Sequence, residues 1–385
     1  MLAMEGDVPS LRVCIVGGGI GGLTLAGLLQ ADGHAVTVLE RTPAWAPVGA
    51  GIVLAPNAMR VASALGIRDR LQARGFLPDG TGITDASGAS LSRIDSAEAE
   101  DRFGGLVALH RAILHEELLG CVDDSSIRLG TSVTEVVTDG DQALVVDTDG
   151  QRERYDVVVG ADGIRSAVRD LAFGPNPPTY SGYTCWRFVV EHEQHIRAVT
   201  EMWGRGRRFG IVPIESGRAY CFATSNEPAR QEDPDGERIT RFQRRFAGFG
   251  GHAPAMLAAL TDDAQLLRGD IEEVVQDGWS RGRVALIGDA AHALTPNMGQ
   301  GAGMAMEDAL VLSRCLASED VNVALRGYES LRRARVEWVR SRSRQIGRVG
   351  QWSNPIACWV RGALMKMVPP RVAAGGLIKL VDEAP

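Results

Sequence analysis

Cysteine is scarce and scattered: Cys14, Cys121, Cys185, Cys221, Cys315 and Cys358 are the six among 385 residues, and the shortest interval runs from Cys185 to Cys221. That spacing offers no CxxC redox pair, no zinc knuckle and no disulfide framework. Positive charge is not in excess either. The formal charge is −7, which gives no basic field for nucleic acid or for an anionic membrane surface. No uninterrupted apolar run reaches the ~20 residues that span a bilayer. The short polar start Met1–Ser10 reads as neither signal peptide nor anchor, so a cytoplasmic protein is expected. His192 and His195, flanked by Glu191 and Glu193, are the one group resembling metal ligands. Their polar surroundings read as a solvated loop or helix turn, and no metal is expected.

What is present is the composition of an ordinary globular chain, 45% hydrophobic and 23% charged, long enough for one large core or two interleaved ones. No internal repeat of useful period is visible. The arginines crowded between Arg326 and Arg348 stand at helical spacing, which predicts a solvated, salt-bridged helix face. The segment Ile356–Val381 alternates apolar runs with Arg361, Lys366 and Pro369–Pro370, and docking on the protein's own body is expected of it.

The sharpest signal begins at Leu11. Residues Arg12–Val16 form a short β-branched run suited to a buried parallel strand, and Gly17-Gly-Gly-Ile-Gly-Gly22 follows at once. A helical stretch over Leu23–Gln30, a stop at Asp32-Gly33 and a second apolar run Ala35–Leu39 ending in Glu40 complete the unit. Gly17 permits the tight turn, Gly19 lets backbone amides approach a pyrophosphate, and Gly22 lets helix and strand pack closely. The pyrophosphate would sit at the positive end of the helix, and Glu40 would accept hydrogen bonds from an adenosine ribose. This predicts a dinucleotide site without choosing between NAD and FAD.

Later segments repeat the placement. Arg41 follows Glu40, and Val48-Gly-Ala-Gly-Ile52 is a glycine-rich turn able to lie close to a flat ring system. His110-Arg111 opens a helix over Ala112–Leu119. Asp156–Gly163 reads as a buried strand ending in Asp162-Gly163, with Ser166 and Arg169 beyond it. Arg283–His292 reads as another, ending in Gly288-Asp289, before Pro296, Gly299-Gln-Gly301, Ala302 and a helix over Met304–Leu316. Each sets a carboxylate or a glycine-rich helix start at the carboxyl end of a parallel strand, where open α/β sheets bind ligands.

These segments, in this order across nearly the whole chain, resemble those of the p-hydroxybenzoate hydroxylase-like flavin monooxygenases, which include salicylate hydroxylases and FAD-dependent urate hydroxylases. The resemblance implies FAD as cofactor, held at Gly17, Gly19, Gly22, Glu40, Arg41, Gly51, Arg111, Asp162, Gly163, Asp289, Pro296, Gly299, Gly301 and Ala302. In that family Asp289 would hold the ribityl chain. One departure stands in Tyr328–Arg335, where Ala334 occupies a position at which the family often has proline.

The fold expected is α/β: a Rossmann-like FAD-binding domain interleaved with a substrate domain carrying an antiparallel sheet, plus C-terminal helices. The FAD domain is expected near 9–75, 104–172 and 270–330, the substrate domain at 76–103 and 173–269, and a terminal helical segment at 331–385. Gly182–Val190, Arg208–Pro213 and Arg218–Ala223 supply the predicted antiparallel strands. By resemblance NADH or NADPH reduces the flavin, O2 adds to give a C4a-hydroperoxide, and one oxygen passes to a small aromatic or heteroaromatic substrate. Only one glycine-rich dinucleotide turn is present, so the nicotinamide cofactor has no domain of its own. Arg208 and Tyr220 are the catalytic candidates, in spacing like the arginine and tyrosine pair of urate hydroxylases; sheet-edge or core roles stay open for both. Tyr183, Trp186 and Arg187 are further candidates. An FAD-dependent reductase or amine oxidase, or a flavin-binding module without turnover, would use the same cofactor motifs. Monomer and homodimer are both compatible with the sequence.

Overall fold

The computed structural model describes residues 10–46, 49–95, 105–192, 195–215, 217–234, 236–318, 320–368 and 379–380. The expectations on Met1–Pro9, Val48, Glu193 and Pro369–Ile378 lie outside them. The strands are, in chain order, β1 Arg12–Val16, β2 Ala35–Glu40, β3 Gly51–Leu54, β4 Gly80–Asp85, β5 Ser90–Asp95, β6 Val107–His110, β7 Ile127–Leu129, β8 Val133–Asp139 and β9 Gln142–Asp147. After these come β10 Arg152–Tyr155, β11 Val157–Gly160, β12 Thr179–Glu191, β13 Val199–Trp203, β14 Arg207–Glu215, β15 Arg218–Ser225, β16 Leu267–Glu273, β17 Ser280–Arg281 and β18 Val284–Leu286.

One sheet has the order β17-β18-β11-β1-β2-β7, parallel except for the edge strand β17. Its central strands are continuous apolar runs because both faces are covered: Val13–Val16 and Val157–Val159 are fully or nearly buried. Helices Ile20–Ala31 and Gly301–Leu316 pack on each other and on this sheet. All five parallel strands end on one side, which brings Gly17, Glu40, Asp162 and Asp289 to a common edge.

The second large sheet has the order β16-β12-β15-β14-β13-β4-β5. Strands β4 and β5, from the expected 76–103 insertion, join it through a parallel pairing of β4 with β13. Alternation along β12, β14 and β15 sorts side chains to two faces. Trp186, Phe188, Phe209, Ile211 and Cys221 form an aromatic core with Phe242, Phe246 and Phe249 from the covering helices. The other face, with Val189, Val212, Tyr220 and Phe222, meets Val53 and Ala108 of the two-stranded β3-β6 ladder. A small antiparallel sheet, β10-β9-β8, has no counterpart among the expected elements.

Two segments depart from expectation. The arginine-rich stretch belongs to one helix, Val321–Gly350, unbroken at Ala334 because no proline ring interrupts it. Its buried stripe runs through Tyr328, Arg332, Arg335, Val336, Val339 and Ser343, so Arg332 and Arg335 point inward, only 1% and 8% exposed. The face is therefore solvated in part only. The expected boundary at 330/331 falls inside this helix, and that at 269/270 inside β16. Helix Pro355–Met367 docks through Arg361, whose guanidinium reaches the carbonyls of Val349, Gly350 and Gly204. Its Ile356, Trp359, Leu364 and Met367 nonetheless stay exposed, so docking on the body covers one side only.

Candidate active site

The glycine turn after β1 has the geometry its spacing predicts. Gly17 sits at φ 111°, and a Cβ on Gly22 would lie 2.0 Å from the Gly17 carbonyl oxygen, so neither position admits a side chain. At Gly19 a Cβ would meet nothing within 4 Å, which leaves open space before the start of helix Ile20–Ala31. Glu40 accepts a hydrogen bond from the Gly18 amide at 2.8 Å and another from the Thr42 amide at 2.9 Å, and stays half-exposed. Arg41 beside it is exposed. Trp45 and His115 border this corner: His115 donates to the Gly18 carbonyl at 2.9 Å, and the two rings meet edge to face. No motif in the sequence marked either residue.

Asp289 opens the short helix Asp289–His292 after β18. It is exposed to solvent, yet burial among surrounding chain pushes its carboxyl above the ordinary carboxylate range, with the charges of His292 and Arg111 opposing. Both statements hold for a group on the floor of a cleft. Arg111, at the start of helix Arg111–Leu119, lines the same cleft, its Cδ 3.1 Å from where a Cβ of Gly49 would stand. Across it, Pro296 begins a single turn that ends at Gly299 in the left-handed conformation, φ 63°. Neither Gly299 nor Gly301 would bring a Cβ within 4 Å of anything.

Asp162 has a different occupation. Its carboxylate accepts hydrogen bonds from Ser166 Oγ at 2.5 Å and from the amides of Ala167 and Val168 at 2.7 and 3.1 Å, capping helix Ala167–Phe173. The side chain is thus committed to the helix start, while Gly163, φ 80°, leaves open space beside the backbone. Arg169, buried, ties this turn to the Asp289 helix by donating to the carbonyls of Ile164 and Ala290.

Beneath the Gly288 and Gly301 turns lies a buried polar lock. Glu307 accepts from Arg332 at 2.5 Å, from Arg335 at 2.6 Å and from Asn57 at 2.7 Å; Asn57 also donates to Gln300 at 3.0 Å. Asp308 accepts from the Gly288 amide at 2.9 Å, from His292 at 2.6 Å and from Arg332 at 2.7 Å. Burial alone would push the Asp308 carboxyl up, but His292 and Arg332 outweigh it and hold it at about 2. Tyr328 adds a bond to the Leu286 carbonyl at 2.9 Å. The lock fixes both turns that face the cleft, and Arg332 and Arg335 entered it unread because their charge masked their place on the apolar stripe.

The catalytic candidates separate. Arg208 is 2% exposed, donates to Glu201 at 3.0 Å and to Asn297 at 2.7 Å, and lies over the Tyr183 ring. Its charge is compensated within the chain, so in this structure it is not open to an anionic ligand. It does hold Asn297, which also bonds Tyr183 and Thr295, in the turn before Gly299. Tyr220 lies directly under β3: a Cβ on Gly51 would fall 2.3 Å from its own Cβ. Burial raises its hydroxyl well above the usual phenol range. Trp186 is on the far face, in the aromatic core, whereas Arg187 is on the face with Tyr220. Among the described residues no group of three or more His, Cys, Asp or Glu side chains could hold a metal ion.

The open glycine positions, the acceptor-only cleft carboxylate and the half-exposed Glu40 at the carboxyl edge of the parallel sheet fit an extended dinucleotide, and this defines an FAD-binding α/β protein. A family model described as FAD binding domain matches residues 10–343, and the chain belongs to that family. It is similar to the aurachin C monooxygenase/isomerase of Stigmatella aurantiaca, 41% identical over 93% of this chain and 94% of that protein. It is also similar to the 2-heptyl-3-hydroxy-4(1H)-quinolone synthase of Pseudomonas aeruginosa, 38% identical with the same coverage of each, 93% and 94%. The solved structure of Klebsiella pneumoniae HpxO complexed with FAD and uric acid superposes with a TM-score of 0.90 at 28% identity, covering 97% of each chain. The protein is an FAD-dependent monooxygenase of the aromatic hydroxylase type.

Proposed function

We infer that this monooxygenase hydroxylates a fused-ring heteroaromatic of the 4-quinolone type, carrying a carbonyl oxygen on the ring and an apolar substituent, at the expense of NAD(P)H and O2. The observation that carries the reading is the 41% and 38% identity, over nearly the full chain, to proteins named for aurachin C and for 2-heptyl-3-hydroxy-4(1H)-quinolone. Supporting it, the sheet face that packs against β3 and β6 carries the partly buried Val189, Tyr220 and Phe222, an apolar surround for a flat ring at its margin.

FAD, when bound, supplies electron transfer from the nicotinamide and the activation of dioxygen. The chain's own residues bind, orient and exclude water. The open backbone at Gly19 and the start of helix Ile20–Ala31 takes the pyrophosphate, with Gly17 and Gly22 shaping the turn; Glu40 takes the adenosine ribose with Arg41 at its exposed rim, and Asp289 the ribityl hydroxyls. Arg111, Gly51, Pro296, Gly299, Gly301 and Ala302 border the ring system. Asp162 serves by shaping the turn that exposes the Gly163 backbone. Arg208 is a positioning residue that anchors Asn297, and Tyr220 offers a neutral hydroxyl beneath the ring. In this assignment 9–75, 104–172 and 270–330 carry the cofactor, while 76–103 and 173–269 carry the substrate face.

The test is NAD(P)H oxidation by FAD-loaded protein with a panel of 2-alkyl-4-quinolones, urate and 6-hydroxynicotinate. A quinolone that stimulates oxidation and gains one oxygen atom is the expected result. Stimulation by urate or hydroxynicotinate alone would replace the substrate class. Peroxide formation with no oxygenated product from any of them would move the protein to an oxidase.

A further inference from the structure

Among the arginines on the strands of the substrate sheet, Arg208 and Arg268 have carboxylate partners and Arg187 differs. Arg208 has Glu201 at 3.0 Å, and Arg268 has Asp233 at 3.6 Å and stacks on Trp186. Arg187 on β12 has none within ion-pair distance among the described residues; the groups acting on it are Cys185, Tyr220 and Tyr183. Burial raises both the Cys185 thiol and the Tyr220 hydroxyl, so neither is an anion at physiological pH. A half-buried guanidinium therefore stands without a countercharge.

Its location is fixed by the ladder. Arg187 pairs with Phe222, and its neighbours across β15 are Thr224 and Tyr220, all on the face turned toward β3. Its Nη1 lies 4.0 Å from where a Cβ would stand on Gly269 of β16, on the same face. Tyr220, beside it on this face, lies against the Gly51 backbone. Asn297 of the Pro296 turn is held by Tyr183 and Arg208. A cation on an apolar wall is costly unless something completes it, and a planar guanidinium is suited to an oxygen acceptor in the plane of a ring.

We propose that Arg187 is the substrate-holding cation of this enzyme, binding the oxygen attached to the heteroaromatic ring and favouring the substrate's anionic, enolate-like form. The substrate's N–H proton leaves to solvent, Arg187 stays protonated, and the negative oxygen raises electron density at the ring carbon next to the one that carries it. Tyr220 keeps its proton and donates a hydrogen bond to the same oxygen. The substrate class rests on the quinolone reading above; the cation's role rests on the uncompensated charge.

The experiment measures ligand binding to FAD-loaded protein by perturbation of the flavin absorbance, for wild type, Arg187→Gln and Arg187→Lys. The probes are a 2-alkyl-4-quinolone, urate and 6-hydroxynicotinate, plus a 2-alkylquinoline lacking the oxygen on the ring. With Arg187→Gln, binding of the oxygen-bearing probe that wild type accepts should weaken about 10- to 150-fold, the loss of one charge-assisted hydrogen bond. Arg187→Lys should recover part of it, the oxygen-free probe should change less than about threefold, and FAD content should stay level. The pH at which the bound probe ionises should rise in Arg187→Gln. Equal loss for both kinds of probe, or no loss, would overturn the proposal, as would wild type binding none of the three oxygen-bearing probes. Binding of urate or 6-hydroxynicotinate but not the quinolone, with the Arg187→Gln effect intact, would remove the substrate class and leave the cation's role standing.

Discussion

Replacing Glu307 by glutamine tests whether the arginine-rich helix is a buried lock or a decorated surface. Glu307 is 1% exposed and accepts from Arg332, from both Arg335 nitrogens and from Asn57 at 2.5 to 2.7 Å. The substitution keeps the shape and removes the charge, leaving Arg332 with Asp308 alone and the buried Arg335 with no carboxylate. Removing one partner of a buried pair costs about 3–5 kcal/mol. At the roughly 1.2 °C per kcal/mol that the per-residue unfolding entropy gives for a chain of this length, Tm should fall by about 4–6 °C. The control is Glu237→Gln, whose partner Arg241 is, like Glu237, about half exposed; surface pairs are worth about 0–1 kcal/mol. Thermal melts of the FAD-free proteins give the comparison, and FAD titration gives its functional side, because Asn57 carries the strain to Gln300 at the start of helix Gly301–Leu316. Equal small shifts for both variants would refute the lock.

Asp289→Ala should leave the fold intact and weaken FAD about 10- to 150-fold, the loss of a charge-assisted hydrogen bond, measured by fluorescence titration; unchanged affinity would reassign the residue. Asp308 is held at about 2 against 3.8 unfolded. A depressed carboxyl adds stability above the unfolded value and loses it as pH falls through the folded one. It should therefore contribute about 2 kcal/mol near neutrality that disappears between about pH 4 and 2, and Asp308→Asn should flatten that limb of the urea-denaturation profile. Gly51→Ala forces a Cβ to within 2.3 Å of the Tyr220 Cβ, so it should lower Tm, and Tyr220→Gly in the same chain, which removes that Cβ, should cost less than the sum of the two single changes.

The cofactor half of the fold was legible because chemistry and geometry coincide there. Gly17 and Gly22 must be glycine for steric reasons visible in the spacing alone, and β1, β2, β11 and β18 are apolar runs that reach a glycine or a carboxylate at their end or within three residues of it. The lock was not legible, since Arg332 and Arg335 lie on the helix stripe with Tyr328 and Val336 but carry the residue type that usually marks the opposite face; their partners lie 24 to 28 residues away on another helix. Asp162 could equally have been a ligand or a helix cap, because Ser166 and the amides that claim it follow only four to six residues later. Arg208 and Arg187 differ by where Glu201 falls, and only the β13–β14 register brings Glu201 opposite Gly210, diagonal to Arg208. The β8–β10 sheet escaped notice although Asp139-Gly140 and Asp149-Gly150, both glycines at positive φ, are hairpin turn signals between its strands.

The most direct measurement of the central claim uses isotopically labelled dioxygen. FAD-loaded protein, NAD(P)H and a 2-alkyl-4-quinolone are incubated under the heavy isotope, and product mass is compared with oxygen consumed and peroxide released. An FAD-dependent monooxygenase predicts one labelled oxygen atom in each product molecule, matched to one nicotinamide oxidised, with little peroxide. Oxygen uptake that ends entirely as peroxide, with no label in the quinolone or in any other aromatic of the panel, would contradict it.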